Sequence, residues 1–307
     1  MRILVTGGAG FIGSNFVHYV LDKHDEDEIV TLDALTYAGS RDNLDGVLDD
    51  PRHEFVEGDI RDRDLVAELV EDVDAIVNFA AESHVDRSIQ GAEPFVSTNV
   101  QGTQTLLDAA VEANVDRFLQ ISTDEVYGQI LEGKFSEDDR LNPRNPYSAT
   151  KASADLLAKS YQTTHGLSVL ITRTCNNFGP RQHSEKLIPK FLQKAAAGEE
   201  LPVYGDGSNV REWIYVEDNC RALDLVLREG EPGEVYNIGS DEERTNLEVT
   251  EAILNAVGGS KDQITFVEDR AGHDQRYALE SNKVKELGWR ATTSFEEGLE
   301  RAVDYYL

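Results

Sequence analysis

The sequence predicts an α/β protein built on a doubly wound parallel sheet, with a smaller, interleaved C-terminal part. Three observations carry this. The chain opens on a short apolar strand that runs into a glycine-rich turn and then a helix. Strands and helices go on alternating as far as Arg173, a pattern that implies right-handed crossovers and parallel pairing. Beyond Arg173 the rhythm changes to longer loops rich in Gly, Pro and Arg. No internal repeat, low-complexity tract or clear linker intervenes, so the last part is expected to interleave with the sheet.

In chain order, Arg2-Ile3-Leu4-Val5-Thr6 is the first strand; it enters Gly7-Gly8-Ala9-Gly10-Phe11-Ile12-Gly13, and Ser14 to Leu21 continue at helical spacing. Glycines at 7, 10 and 13 let backbone approach a pyrophosphate, while the helix start offers N–H groups and the positive end of its dipole. A second strand, Glu28 to Leu32, ends at Asp33. A carboxylate at that strand tip can accept from ribose hydroxyls and repels a 2′-phosphate, so a Rossmann-type site for NAD, not NADP, is expected. The plainer alternative is an Asp that caps the next turn. Further strands are expected at His53 to Glu57, Asp74 to Phe79, Arg117 to Ile121 and Ser168 to Arg173. Helices are expected at Asp62 to Glu71, Glu93 to Ala113 and from Tyr147.

The stretch Ser122-Thr123-Asp124-Glu125-Val126-Tyr127-Gly128 follows the Arg117 strand, so Thr123, Asp124 and Glu125 fall at its carboxyl end, where open parallel sheets bind ligands. Asn145-Pro146 signals a helix start, Asn as N-cap and Pro in the first turn. Tyr147 and Lys151 then share one helix face, and the ammonium is expected to lie beside the phenol and lower its pKa, making Tyr147 a general base. Taken singly, an acidic pair or a Tyr-x-x-x-Lys spacing is commonplace. Their order behind a nucleotide-binding start is what gives them weight.

The 307 residues carry 58 acidic and 29 basic side chains, a formal net charge of −29, and the acids are spread along the chain. Nucleic acid and anionic membrane are both disfavoured as partners, since each would be repelled. Only ten of the basic residues are Lys, and the balance reads as adaptation to high salt, which screens self-repulsion. Cys175 and Cys220 make neither a disulfide framework nor a metal-ligand spacing, and no metal is expected. No signal peptide or membrane span is read, so a cytoplasmic location is expected. The scarce cations Arg181, Lys186, Arg211, Arg270 and Arg276 are candidates for a pyrophosphate, against the plainer reading that each pairs with a local acid.

With these residues in view, the chain resembles the extended short-chain dehydrogenases/reductases and, within them, the dTDP-glucose 4,6-dehydratase family. The resemblance covers most of the chain. It rests on Thr6 to Gly13, Leu35-Thr36-Tyr37-Ala38-Gly39, Ala80-Ala81-Glu82-Ser83-His84-Val85-Asp86-Arg87-Ser88, Ser122 to Gly128 and Tyr147 to Lys151. Later blocks are Asn176 to Pro180, Glu185 to Pro189, Arg211-Glu212-Trp213 and Arg270 to Tyr277. Departures fall at Ser40, Phe178 and His183-Ser184.

The resemblance implies an NAD site formed by Gly7, Gly10, Phe11, Ile12, Gly13, Asp33, Thr36, Asp59, Ile60, Ala80, Ala81, Thr98, Tyr147 and Lys151. It implies a sugar-nucleotide site formed by Ser83, His84, Thr123, Asn176, Lys186, Arg211, Asn246, His273 and Tyr277. For His84 and His273 a purely structural role is the competing reading. By the same resemblance, Tyr147 takes the O4 proton, Thr123 holds that oxygen, Glu125 acts as base at C5, Asp124 as acid under the C6 hydroxyl, and Lys151 tunes Tyr147. Residues 1–174 would form the NAD-binding domain, with segments near 210–240 returning to it, and 175–307 mainly the sugar-nucleotide part. A homodimer through the helices from Glu93 and Tyr147 is implied as well. Rival readings are a UDP-glucose 4,6-dehydratase, an epimerase or decarboxylase of the same fold, which has no use for the Asp124–Glu125 pair, a GDP-mannose dehydratase, disfavoured by Asp33, and a catalytically silent NAD-binding module.

Overall fold

The computed structural model describes residues 1–269 and 272–307; Arg270, one of the candidate cations, and Ala271 lie outside the described residues. Twelve strands are present among them: β1 (Arg2–Thr6), β2 (Glu28–Asp33), β3 (His53–Glu57), β4 (Ala75–Asn78), β5 (Arg117–Thr123), β6 (Val169–Thr174), β7 (Asn176–Phe178), β8 (Leu201–Tyr204), β9 (Val210–Tyr215), β10 (Val235–Ile238), β11 (Glu243–Thr245) and β12 (Ile264–Val267). The helices are α1 (Phe11–Lys23), α2 (Arg63–Val70), α3 (Val85–Gln90), α4 (Glu93–Phe95), α5 (Thr103–Ala113), α6 (Pro146–His165), α7 (Leu187–Ala196), α8 (Val216–Glu229), α9 (Asn246–Val257), α10 (Asn282–Glu286) and α11 (Phe295–Tyr306).

Seven strands form the main sheet in the order β10-β6-β5-β4-β1-β2-β3, and every pair in it is parallel. Because helices cover both faces, the inner strands are buried on both sides and do not alternate; β4 and β6 are buried at every position. One face packs against α1 and α8, with Phe16, Val20, Leu223 and Val226 at its centre. The other packs against α2, α5 and α6 through Val66, Leu106, Ala110 and Ala158. The strand order reverses between β1 and β4, and a crevice opens there beyond the carboxyl ends of the strands.

A second core, with Phe178, Phe191, Trp213, Ile253 and Phe295, unites α7, α9 and α11 with two small sheets, β11-β9-β7 and β12-β8. The chain does not leave the main sheet for good at Thr174, since β10 comes back to pair with β6, Val235 opposite Ile171. The expected helix from Glu93 to Ala113 is present but not uniform. Between α4 and α5, Val96–Gly102 forms a π-helix, a wider turn often found at functional sites. It carries buried Asn99, whose amide bonds both backbone groups of Glu82 (2.8 and 3.0 Å) and the Thr150 hydroxyl (3.0 Å).

Candidate active site

Beyond β1 the chain must turn within contact of the segment after β4, and side chains are excluded there. Gly7 has φ +68°, and a Cβ on it would stand 2.7 Å from the Ala80 nitrogen; one on Gly13 would stand 2.3 Å from the Gly7 oxygen. What remains is bare backbone facing a cavity of about 320 Å³ at the carboxyl ends of β1, β2, β4 and β5. Every residue expected to hold the dinucleotide, from Gly7 through Asp33, Thr98 and Tyr147 to Lys151, lines this cavity. Asp33, buried at the tip of β2, accepts the N–H groups of Ala9 (2.9 Å) and Leu35 (2.8 Å). It therefore caps the turn and braces the glycine loop, and a carboxylate has lone pairs left for ribose hydroxyls. Burial pushes its carboxyl above the usual range. The lining thus fits a dinucleotide.

At the end of β5, the Thr123 hydroxyl accepts the Glu125 N–H (3.3 Å) and caps a single 3₁₀ turn, Asp124–Tyr127. Strand and cap together aim two adjacent carboxyls differently. Asp124 is 2 % exposed; its Oδ1 accepts from the Thr123 hydroxyl (3.2 Å), and its Oδ2 has no hydrogen-bond partner among the described residues. Burial first, then the negative charge of Glu125, push its carboxyl up to about 8. Asp124 is thus a protonated acid at neutral pH, with an oxygen to offer. Glu125 is half-buried and takes a hydrogen bond from the Asn145 amide (3.2 Å).

Asn145 caps α6 through a reciprocal pair of bonds with Ser148, and Pro146 follows at the first position, as the sequence predicts. Such a cap contributes about 1 kcal/mol and fixes where the helix starts. One turn on, the relation between Tyr147 and Lys151 differs from the expectation. Lys151 is buried, its ammonium donates to the Ile121 carbonyl (2.6 Å), and burial pulls its pKa down to about 8. Tyr147 is pushed up, not down, by burial and by the Glu125 and Asp124 carboxyls, against a hydrogen bond with Thr123 that acts the other way. A protonated Asp124 relieves part of that repulsion.

The second cavity, about 490 Å³, is lined by Ser83, His84, Glu125, Asn176, Lys186, Arg211, Asn246, His273 and Tyr277. Of the residues expected to touch a sugar nucleotide, only Thr123 lines neither cavity; the neighbouring Asp124 lines neither as well. Ser83, Gln182 and Lys186 line both cavities, so the two meet at these side chains. Among the candidate cations Arg211 and Lys186 face the second cavity. Arg276 does not, because Glu243 grips it at 2.7 and 2.8 Å; Arg181 bonds Asn15 (2.8 Å) and lines neither cavity. Arg211 lies over the Tyr277 ring (4.3 Å) and donates to the Asp274 carbonyl (3.0 Å). The Tyr277 hydroxyl donates to Asp274 (2.5 Å), which Arg144 also holds (2.7 Å). The residue roles read from sequence did not include Tyr37, Gln182 and Trp213, all of which line a cavity.

A parallel doubly wound sheet with a glycine-lined dinucleotide cavity, a Tyr-x-x-x-Lys helix and an unequal carboxyl pair defines a short-chain dehydrogenase/reductase built for proton as well as hydride chemistry. The chain belongs to the GDP-mannose 4,6 dehydratase family, whose model matches residues 4–302, and its full-length relatives include dTDP-glucose 4,6-dehydratases. That of Streptomyces antibioticus is 51 % identical, the alignment covering 100 % of this chain and 92 % of the relative. The low-salt glycan biosynthesis protein Agl12 of Haloferax volcanii is 77 % identical, over 100 % of this chain and 99 % of the relative. Among solved structures, the dTDP-glucose 4,6-dehydratase of Streptomyces venezuelae, crystallised with NAD and dTDP, superposes with a TM-score of 0.98 at 54 % identity, covering 100 % and 97 % of the two chains.

Proposed function

We propose that the protein is an NAD-dependent 4,6-dehydratase acting on dTDP-glucose and giving the 4-keto-6-deoxy sugar. The observation that carries the reaction type is the buried Asp124 next to half-buried Glu125, its carboxyl pushed up to about 8 by burial and by that neighbour; an epimerase or decarboxylase needs no such pair. Bound NAD supplies a hydride acceptor at C4 and a hydride donor at C6, so there is no net redox change. Tyr147 takes the proton of the C4 hydroxyl as its phenolate, the form that the hydrogen bond with Thr123 favours. The resulting ketone acidifies C5, and Glu125 removes its proton and gives it back to C5 as hydride is delivered to C6. Asp124 protonates the departing C6 hydroxyl through its unpartnered oxygen. Acid and base must differ in protonation for this to work, and their unequal burial provides the difference. Arg211 and Lys186, which line the second cavity, would hold the diphosphate, and Asp33 a ribose.

Mass spectrometry of the sugar product, after incubation in molar KCl without added cofactor with dTDP-glucose or UDP-glucose, tests this reading. Loss of one water from dTDP-glucose supports it, loss from UDP-glucose alone changes the nucleotide, and an isomerised sugar of unchanged mass overturns it. A pH profile of the water-loss step offers a second check. Asp124 must carry its proton, so the rate is expected to fall as pH rises through about 8.

We also read a homodimer through α5 and α6 with the π-helical stretch, where Val96 and Leu156 are 44 % and 60 % exposed. A cytoplasmic location is consistent with two free cysteines, and among the described residues no helix is long and apolar enough to cross a membrane.

A further inference from the structure

We propose that Asn145 is a positioning residue for the base, holding the Glu125 carboxylate in its working orientation; this rests on the dehydratase reading above. The residue has two arms and both are engaged. Its Oδ1 accepts the Ser148 N–H (2.9 Å) and caps α6. Its Nδ2 donates to Glu125 Oε2 (3.2 Å). A single short side chain thereby couples the carboxylate at the end of β5 to the helix that carries Tyr147 and Lys151.

Capping alone does not call for Asn. Asp and Ser cap about equally well, because a cap needs only an oxygen acceptor. The amide donor is what Asn adds, and here the donor reaches the carboxylate. The backbone of Glu125 is already held by the Thr123 hydroxyl, but its side chain keeps three rotatable bonds, and ordering it costs entropy. A donor fixed to the start of α6 selects one orientation of the carboxylate plane before substrate arrives. The coupling also sets the base relative to Tyr147, so the group that removes the O4 proton and the group that removes the C5 proton share one frame.

The test compares wild type with Asn145→Ser and Asn145→Asp, each of which keeps the cap. The Asp variant is isosteric but turns an acceptor toward Glu125. Formation of NADH on the bound cofactor, exchange of the C5 hydrogen with deuterated solvent, release of water and the melting curve are measured together. Melting and NADH formation are expected to stay near wild type. C5 exchange and water release are expected to fall about tenfold in Asn145→Ser and about a hundredfold in Asn145→Asp, the scale of a misplaced catalytic group. A capping role alone leaves both variants near wild type, since Ser and Asp keep the cap; that result, or unchanged C5 exchange in either variant, overturns the proposal. If wild type releases no water from either nucleotide sugar, the dehydratase reading fails and this inference fails with it. If wild type does and the variants match it, the role of Asn145 alone fails.

Discussion

In Glu125→Gln, removal of hydride from C4 is expected to survive while release of water collapses by roughly a hundred- to ten-thousand-fold, the usual contribution of a positioned general base. The amide fills the space of the carboxylate and can still accept from Asn145, so the 3₁₀ turn and the cap of α6 need not move. What disappears is a group able to take the C5 proton. Tyr147 and Lys151 remain, and removing a negative charge near Tyr147 relieves one of the causes that push its phenol up. A single turnover should therefore stop at the keto sugar with NADH accumulated on the protein, seen in the nicotinamide absorbance and in a product that has not lost water. Unaffected water release would remove Glu125 from the reaction and leave the C5 base to be found elsewhere.

Dilution from molar KCl into dilute buffer is expected to unfold the protein. The chain carries a formal charge of −29, and exposed acids follow one another closely along the sequence, as at Asp22, Asp25 and Glu26 or Asp62, Asp64 and Glu68. At about 1 M salt the screening length is about 3 Å, shorter than the gaps between neighbouring carboxylates; at about 0.01 M it is about 30 Å, and the whole surface repels itself. The 29 basic residues offset only half of the 58 acids. Circular dichroism melting curves across that range check it, and a curve that does not move with salt would falsify the salt-adapted reading.

Where the functional pattern is local, it could be read without coordinates. The glycine turn, Asp33 at the tip of β2, Thr123 to Glu125 behind β5, and the Asn145-Pro146 start of α6 each depend on a few consecutive residues with one cheap conformation. Partnerships across the chain could not be read this way. In so acidic a sequence every Arg has many conceivable partners, so nothing local says that Arg276 is spent on Glu243 while Arg211 is held toward the cavity by Tyr277 and Asp274. The Lys151 ammonium was assigned to Tyr147 by helical spacing, but the carbonyl of Ile121, thirty positions away, is brought to it by the packing of α6 on β5. Asn145 shows both sides: its cap follows from its neighbours, its bond to Glu125 only from the fold.

The return of the chain to the main sheet through β10 bears on how the protein is made. Until residue 235 has left the ribosome, β6 is an open edge, a six-residue run that is buried at every position in the finished molecule. Its only partner on that side has not yet been synthesised, and such an edge invites pairing with other chains. The nascent protein must wait with a sticky flank exposed while the segments that build β7 to β9 are added. The chain up to that point carries a large excess of acids, and like charge opposes the association of such intermediates. The acidic composition is then at work during synthesis as well as on the surface of the finished fold.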